Sequence, residues 1–215
     1  MKQQVKQVPY GVSDFATVMS QNLYYVDKTM FLPELEKQPR NLFFVRPRRF
    51  GKSLLVSTLD AYFRGKKDLF QGLAMERLEK EWNVYPVLHL DFSMTKYTAL
   101  SDLLGQLNLN LYDWEKLYGK EEVEGTPAER FRGVIRRAYE QTGKPVVVLI
   151  DEYDAPLLDS NHLPELQNEL REEMRKFFSP LKAQGEYLRF LFLTGISKFS
   201  QMSIFSELNN LQNIS

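Results

Sequence analysis

Residues 146–150 read Val-Val-Val-Leu-Ile, with Asp151 and Glu152 directly after them. The run is rich in β-branched residues and far too short to cross a membrane, so it predicts a strand. No polar residue alternates with the apolar ones. Both faces of such a strand must be covered, as in a parallel sheet with helices on its two sides. A strand of this kind delivers whatever follows it to the carboxyl edge of the sheet, where α/β proteins bind ligands. Here it delivers two carboxylates.

The rest of the chain alternates in the same sense. Residues 42–45 (LFFV), 85–93 (YPVLHLDFS) and 187–194 (YLRFLFLT) predict further strands. Pro47 ends the first of them near Arg46, since proline cannot sit in a central strand. After Gly51, residues Leu54, Leu55, Thr58, Leu59, Tyr62 and Phe63 recur at helical spacing, and Gly65 is a natural stop. Segments 99–118 and 127–142 predict helices; Thr126-Pro127 with Glu129 makes a helix start. A charged helix is expected over 164–183, a short one through FLPELEK, and another within the connecting segment 66–83. Beyond Gly195 the pattern reads as loop with a short helix. Strands alternating with helices predict an α/β sandwich around a mainly parallel sheet. The expected organisation is one domain over 1–215, with 41–215 as the α/β core and 1–40 as a loop-rich N-terminal segment.

Composition sets limits. Lys plus Arg and Asp plus Glu both number 28, so no global charge draws the chain to nucleic acid or an anionic membrane. There are no cysteines, which excludes disulfides and thiolate metal sites, and the two histidines are isolated. The N-terminus lacks the apolar core of a signal peptide, and no stretch is long enough to span a bilayer. A cytoplasmic location is expected.

Three motifs carry chemistry. Gly51-Lys52-Ser53 follows one predicted strand and opens a helix, the context a phosphate-binding loop requires. Residues Arg48, Arg49, Phe50, Gly51, Lys52, Ser53 and Leu54 form the candidate cradle. Backbone N–H groups and the helix N-terminus would meet the phosphate oxygens. Lys52 would reach the β- and γ-phosphates, and Ser53 would hold Mg2+. A chance GKS at a helix start is the competing reading. The usual pattern, G-x-x-x-x-G-K-[ST], has its first glycine position filled by Arg46. The second motif is Asp151-Glu152, with Asp151 placed to hold Mg2+ and Glu152 to polarise an attacking water. Asp154 is a weaker candidate that could only support its loop. The third is Thr194, which would lie between Lys52 and Glu152 if its strand lies between theirs, and could sense the γ-phosphate. Asp91 and Ser93 end their strand as second-layer groups or simple caps.

These motifs, with YGVSDF (10–15), YYVDKT (24–29), RPRRFGKSLL, LIDEYDAPL and LTGISKFSQMSIFSELNNLQNIS, resemble the N-terminal ATPase-like domain of a bacterial AAA-related family. The resemblance runs in order along almost the whole chain. It implies a P-loop NTPase three-layer sandwich with an AAA/STAND-like core, here without a lid or C-terminal domain. In that family the domain is usually joined to a PD-(D/E)XK nuclease-like domain, and an arginine at the first loop position is typical. The segment before the first strand borders the base in AAA-related proteins. By resemblance, Val12, Phe15 and Tyr25 are therefore candidates for an adenine pocket, against ordinary packing. Arg48 and Arg49 could contact phosphate or face a partner.

Three functions remain open. One is a slow Mg2+-dependent ATPase acting as a molecular switch, with Lys52, Glu152 and Thr194 catalytic. Another is a nucleotide-binding module that does not hydrolyse. The third is the regulatory ATPase part of a DNA-processing nuclease protein, whose partner domain lies elsewhere. No base-reading N-K-x-D motif is present, which favours ATP over GTP. The oligomeric state is unassigned.

Overall fold

A computed structural model describes residues 6–197, 204–205 and 211–215. Five parallel strands form one sheet: β1 (Asn41–Val45), β2 (Val87–Asp91), β3 (Val146–Asp151), β4 (Leu188–Gly195) and β5 (Leu211–Asn213), in the order β2-β3-β4-β1-β5. The two strands that carry the GKS and Asp-Glu motifs, β1 and β3, are both internal, with β4 between them.

Alternation along the strands sorts the side chains into two cores. Val146, Val148 and Ile150 of β3, with Leu191 and Leu193 of β4, face one core. Its helices are α5 (Leu100–Tyr118), α6 (Pro127–Thr142), α8 (Pro164–Phe178) and α9 (Pro180–Ala183). Val147 and Leu149, with Phe190 and Phe192, face the other. That side holds α1 (Phe15–Ser20), α2 (Leu32–Lys37), α3 (Lys52–Phe63) and α4 (Ala74–Leu78). The result is a three-layer sandwich, as the apolar strand of residues 146–150 requires.

Helix α6 begins with a reciprocal cap between Thr126 and Glu129, with Pro127 in the first turn, and ends at Gly143 in the left-handed conformation. It is tied to α5 by Arg130, which donates to both carboxylate oxygens of Glu115 at 2.7 and 2.8 Å. A second ion pair, Arg137 with Glu124, pins the acidic loop before α6 onto the helix at 2.5 and 3.1 Å. Gly133 makes room for it, since a Cβ there would overlap the Glu124 carboxylate.

Several expectations need correction. The strand expected over 85–93 is only Val87–Asp91, because Phe92–Met94 turn into a single 3-10 turn capped by Asp91, which accepts from the Ser93 N–H at 2.8 Å. The helix expected over 164–183 breaks after Phe178, where Pro180 starts a separate turn. Residues 6–40 are less loop-like than their composition suggests. Helix α1 lies there, capped by Asp14, which accepts from the Thr17 N–H at 2.7 Å. Two short elements were unread, α7 (Ala155–Asp159) and β5. The short helix expected beyond Gly195 falls largely on 198–203 and 206–210, outside the described residues.

Two of the quoted motifs are joints of the fold. In YGVSDF, Asp14 accepts from Ser57 of α3 at 3.0 Å, and Ser57 in turn accepts from the Phe15 N–H at 2.8 Å. In YYVDKT, Asp27 accepts from the N–H of Ala74 at 2.7 Å, and Thr29 accepts from that of Met75 at 3.0 Å. These are the first two residues of α4, which has no cap of its own. The N-terminal segment is thereby fastened to α3 and α4.

Candidate functional site

Strand parity decides what gathers at the carboxyl edge of the sheet. Asp151 continues the Val147–Leu149 side of β3, and Thr194 continues the Phe190–Phe192 side of β4. Both therefore end on the face that carries α3. Lys52 is the first residue of α3 and is buried, at 4% exposure. Its Nζ lies 3.9 Å from Glu152 Oε1 and donates to the Pro47 carbonyl at 3.3 Å.

The loop between β1 and α3 turns through two left-handed residues, Arg49 (φ 68°) and Gly51 (φ 74°). Arg46 needs no positive φ. Its N–H continues the sheet by donating to the Gly195 carbonyl at 3.3 Å. The Arg46 guanidinium lies back over the Phe44 ring at 5.1 Å and donates to the Val45 carbonyl at 3.2 Å. The position that is glycine in the common motif does no glycine's work here, which is why an arginine fits. Arg48, Arg49, Phe50 and Gly51 are exposed.

Helix α3 begins without a side-chain cap, and its first backbone bond is Leu55 N–H to the Gly51 carbonyl at 3.0 Å. Among the described residues no side chain caps the turn formed by Lys52, Ser53 and Leu54, and a Cβ at Gly51 would meet nothing within 4 Å. An uncapped helix start beneath open space, with a buried lysine beside it, fits a phosphate group. Among the described residues no cluster of three His, Cys, Asp or Glu could hold a metal by itself. Mg2+ characteristically takes one or two carboxylates and completes its shell with water and substrate phosphates. Asp151 is a single carboxylate at the end of β3, and Ser53 is the second residue of α3.

On the acidic side, Glu152 has a left-handed backbone (φ 48°), a sparsely populated state for a non-glycine residue. Its N–H donates to Asp151 Oδ1 at 3.0 Å and to Thr194 Oγ1 at 3.2 Å. The Thr194 hydroxyl donates to Asp151 Oδ1. Burial, and then Asp151, push the Glu152 carboxyl above the usual range, while Lys52 draws it down.

The structure brings Lys52, Asp151, Glu152 and Thr194 together, and Ser53 follows Lys52 on α3. Thr194 does lie between the two loops, but its hydroxyl is fully buried and engaged with Asp151 and Glu152. It is built to orient them rather than to touch a phosphate itself. Phe15 is also fully buried, with ring centroids 5.3 Å from Tyr25 and 5.0 Å from Phe70. It packs the core and offers no ring face to a base. Tyr25 is half-buried, and Val12 is also partly exposed. Asp91 caps its strand end beside Asp151, its partner in the β2–β3 register.

Sequence reasoning gave Asp154 too little weight. It is fully buried, and its Oδ2 accepts from the N–H groups of Ile196 at 2.8 Å and Ser197 at 2.6 Å. The available signal was its place three residues beyond Asp151, close enough to return to the neighbouring strand end.

A protein of Azotobacter chroococcum mcd 1, described as an uncharacterized protein in the vnfD 5' region, is 39% identical over 211 residues. The alignment covers 98% of this chain and 41% of that relative, so the chain spans well under half of the relative's length. No helix among the described residues is long and apolar enough to cross a membrane. A family described as predicted AAA-ATPase matches residues 9–205, and the chain belongs to this AAA-ATPase-like family.

Proposed function

We propose that the chain binds ATP with Mg2+ and hydrolyses it slowly, as a molecular switch. The observation that carries this reading is the buried Lys52, at an uncapped helix start, 3.9 Å from the Glu152 carboxylate. In this reading the backbone from Arg48 to Leu54 holds the phosphates and Lys52 supplies a fixed positive charge. Ser53 and Asp151 hold Mg2+, which neutralises phosphate charge when bound. Glu152 accepts the proton of the attacking water, helped by a carboxyl whose affinity for protons is already raised. Thr194 keeps Asp151 and Glu152 in register.

Slow turnover follows from the cationic side of the site. Arg48 and Arg49 are exposed, and among the described residues no ion pair holds either one. Transition-state stabilisation depends on charges fixed in advance, and these two are not. A partner that orders them would speed the reaction. The nuclease-like domain implied by resemblance is one such partner.

The test is phosphate release from ATP by purified protein, with and without Mg2+, beside a Lys52→Ala control. Release that needs both Mg2+ and Lys52 supports the reading. A melting temperature raised by ATP without phosphate release would leave a binding module. Neither release nor a thermal shift would overturn the nucleotide site altogether.

A further inference from the structure

The proposed hydrolysis uses Asp151 and Glu152 but leaves Asp154 idle, although Asp154 is the most deeply buried of the three. Its two oxygens are unlike. Oδ2 accepts from two successive backbone N–H groups, of Ile196 and Ser197, and Oδ1 has no hydrogen-bond partner among the described residues. Among the described residues no salt bridge holds it; burial pushes the carboxyl upward, against the pull of those two donors and of Lys52. A buried carboxylate is costly unless its oxygens are bonded. Charge-assisted bonds to N–H groups, roughly twice as strong as neutral ones, are the evident compensation.

Those bonds are part of a seam. The Tyr153 N–H donates to the Thr194 carbonyl at 3.0 Å, and the Tyr153 hydroxyl donates to the Ser197 carbonyl. Between them lies Gly195, where a Cβ would overlap the Tyr153 ring and sit 2.9 Å from Asp154 Oδ1. At the near end of the seam Thr194 donates to Asp151 and accepts from the Glu152 N–H. Residues 151–154 and 194–197 are thus laced together, with Asp154 at one end and the strained Glu152 at the other.

We infer that Asp154 is a positioning residue: by holding the N–H groups of Ile196 and Ser197 it fixes Thr194, which sets Asp151 and Glu152. Its effect on turnover rests on the ATPase reading above; the clamp itself does not. Lys52 and its loop hang from β1 and meet the seam at two points, Lys52 at Glu152 and the Arg46 N–H at the Gly195 carbonyl. The clamp bears on the carboxylates more directly than on the phosphate cradle, so its loss acts chiefly on the chemical step and less on nucleotide affinity.

The experiment compares the full chain with Asp154→Asn and Asp154→Ala. Without nucleotide, amide hydrogen exchange is followed at Glu152, Ile196 and Ser197, with residues 88–90 of β2 as an internal reference. Asp154→Ala should speed exchange at all three sites by at least about tenfold and leave the reference unchanged. Asp154→Asn keeps the shape with weaker bonds and should give a rise of roughly threefold at the same sites. If the alanine variant does not fold, the asparagine variant decides. Faster exchange at Ile196 and Ser197 with Glu152 unchanged would reduce Asp154 to a loop staple and overturn the proposal. So would unchanged exchange at all three. In steady-state ATP hydrolysis, kcat should fall at least about tenfold in Asp154→Ala, with KM within about threefold of wild type. A raised KM with unchanged kcat contradicts the assignment. Wild-type protein that hydrolyses no ATP would defeat the ATPase reading, and the exchange data would still decide the role of Asp154.

Discussion

Lys52 Nζ and Glu152 Oε1 lie 3.9 Å apart, the lysine side chain 3% exposed and the glutamate 24%. One residue starts a helix after β1 and the other follows β3, so the contact spans β4. The pair poises the cation proposed to bind phosphate against the carboxylate proposed to activate water. Glu152→Gln removes that charge and keeps the shape. Binding of ATP should be retained or tightened, and turnover should fall at least roughly tenfold, about 1.4 kcal/mol of barrier. Hydrolysis at the wild-type rate would show that Glu152 is not the catalytic carboxylate.

Lys52→Ala should behave differently. A lysine held on the phosphates acts in ground and transition states alike, so binding and turnover should fall together. The rise in melting temperature with saturating ATP should disappear. A variant that kept the full shift would place the phosphates elsewhere.

Thr194→Val keeps the volume of the side chain and deletes its hydroxyl. Asp151 loses a donor and the Glu152 N–H loses an acceptor. Turnover should drop at least about tenfold, and stability by about 1–3 kcal/mol, read by denaturant titration. Thr194→Ser should restore most of both, because it restores the hydroxyl. Equal loss in the two variants would point to packing of the methyl group instead.

Much of this site was legible because its parts sit where strands end. The apolar runs of β1, β3 and β4 are bounded by polar or glycine residues, which placed Lys52, Asp151 and Thr194 at one sheet edge. Helices α5 and α6 were legible from apolar spacing and, for α6, from Thr126-Pro127. Helix α1, with six residues, and β5, with three, were not. Segments so short carry no readable period, and β5 (Leu-Gln-Asn) exists only because β1 offers an edge to pair with. Asp14, Asp27 and Thr29 were also illegible as joints, since their partners lie more than 40 residues away. Whether Phe15 packs the core or borders a ligand was left open, because burial is a property of the assembled core.

Asp27 offers a test by pH. Burial raises its carboxyl, but hydrogen bonds from Ala74 and Thr29 outweigh this and hold it below the ordinary 3.8. The folded form has the lower pKa, so its contribution is complete above the ordinary value and lost as pH falls through the folded one. Asp27→Asn should lower the melting temperature at pH 7. Relative to wild type that deficit should shrink in acid, below about pH 4. A deficit unchanged between pH 7 and pH 3 would remove charge from the explanation.

Gly133→Ala tests the loop before α6. The added methyl would collide with Glu124 and lie 2.6 Å from an Arg137 nitrogen, so the buried ion pair must shift. A loss of about 1–3 kcal/mol is expected from crowding alone. Thermal unfolding measures it, at roughly 2–4 °C per kcal/mol for a chain of this size. An unchanged melting temperature would show that the loop repacks without cost.

The strand order also sets a sequence of events in time. β1 is made before the other four strands of the sheet, yet its neighbours are β4 and β5, formed from residues 188–195 and 211–213. On the ribosome the phosphate loop leaves the tunnel long before either neighbour exists. β2 and β3 can pair while β1 still waits, because closing long loops is the slow part of building such a sheet. The proposed nucleotide site is thus completed only when β4 and β5 dock, and on that reading ATP stabilises the finished fold but cannot guide its early stages.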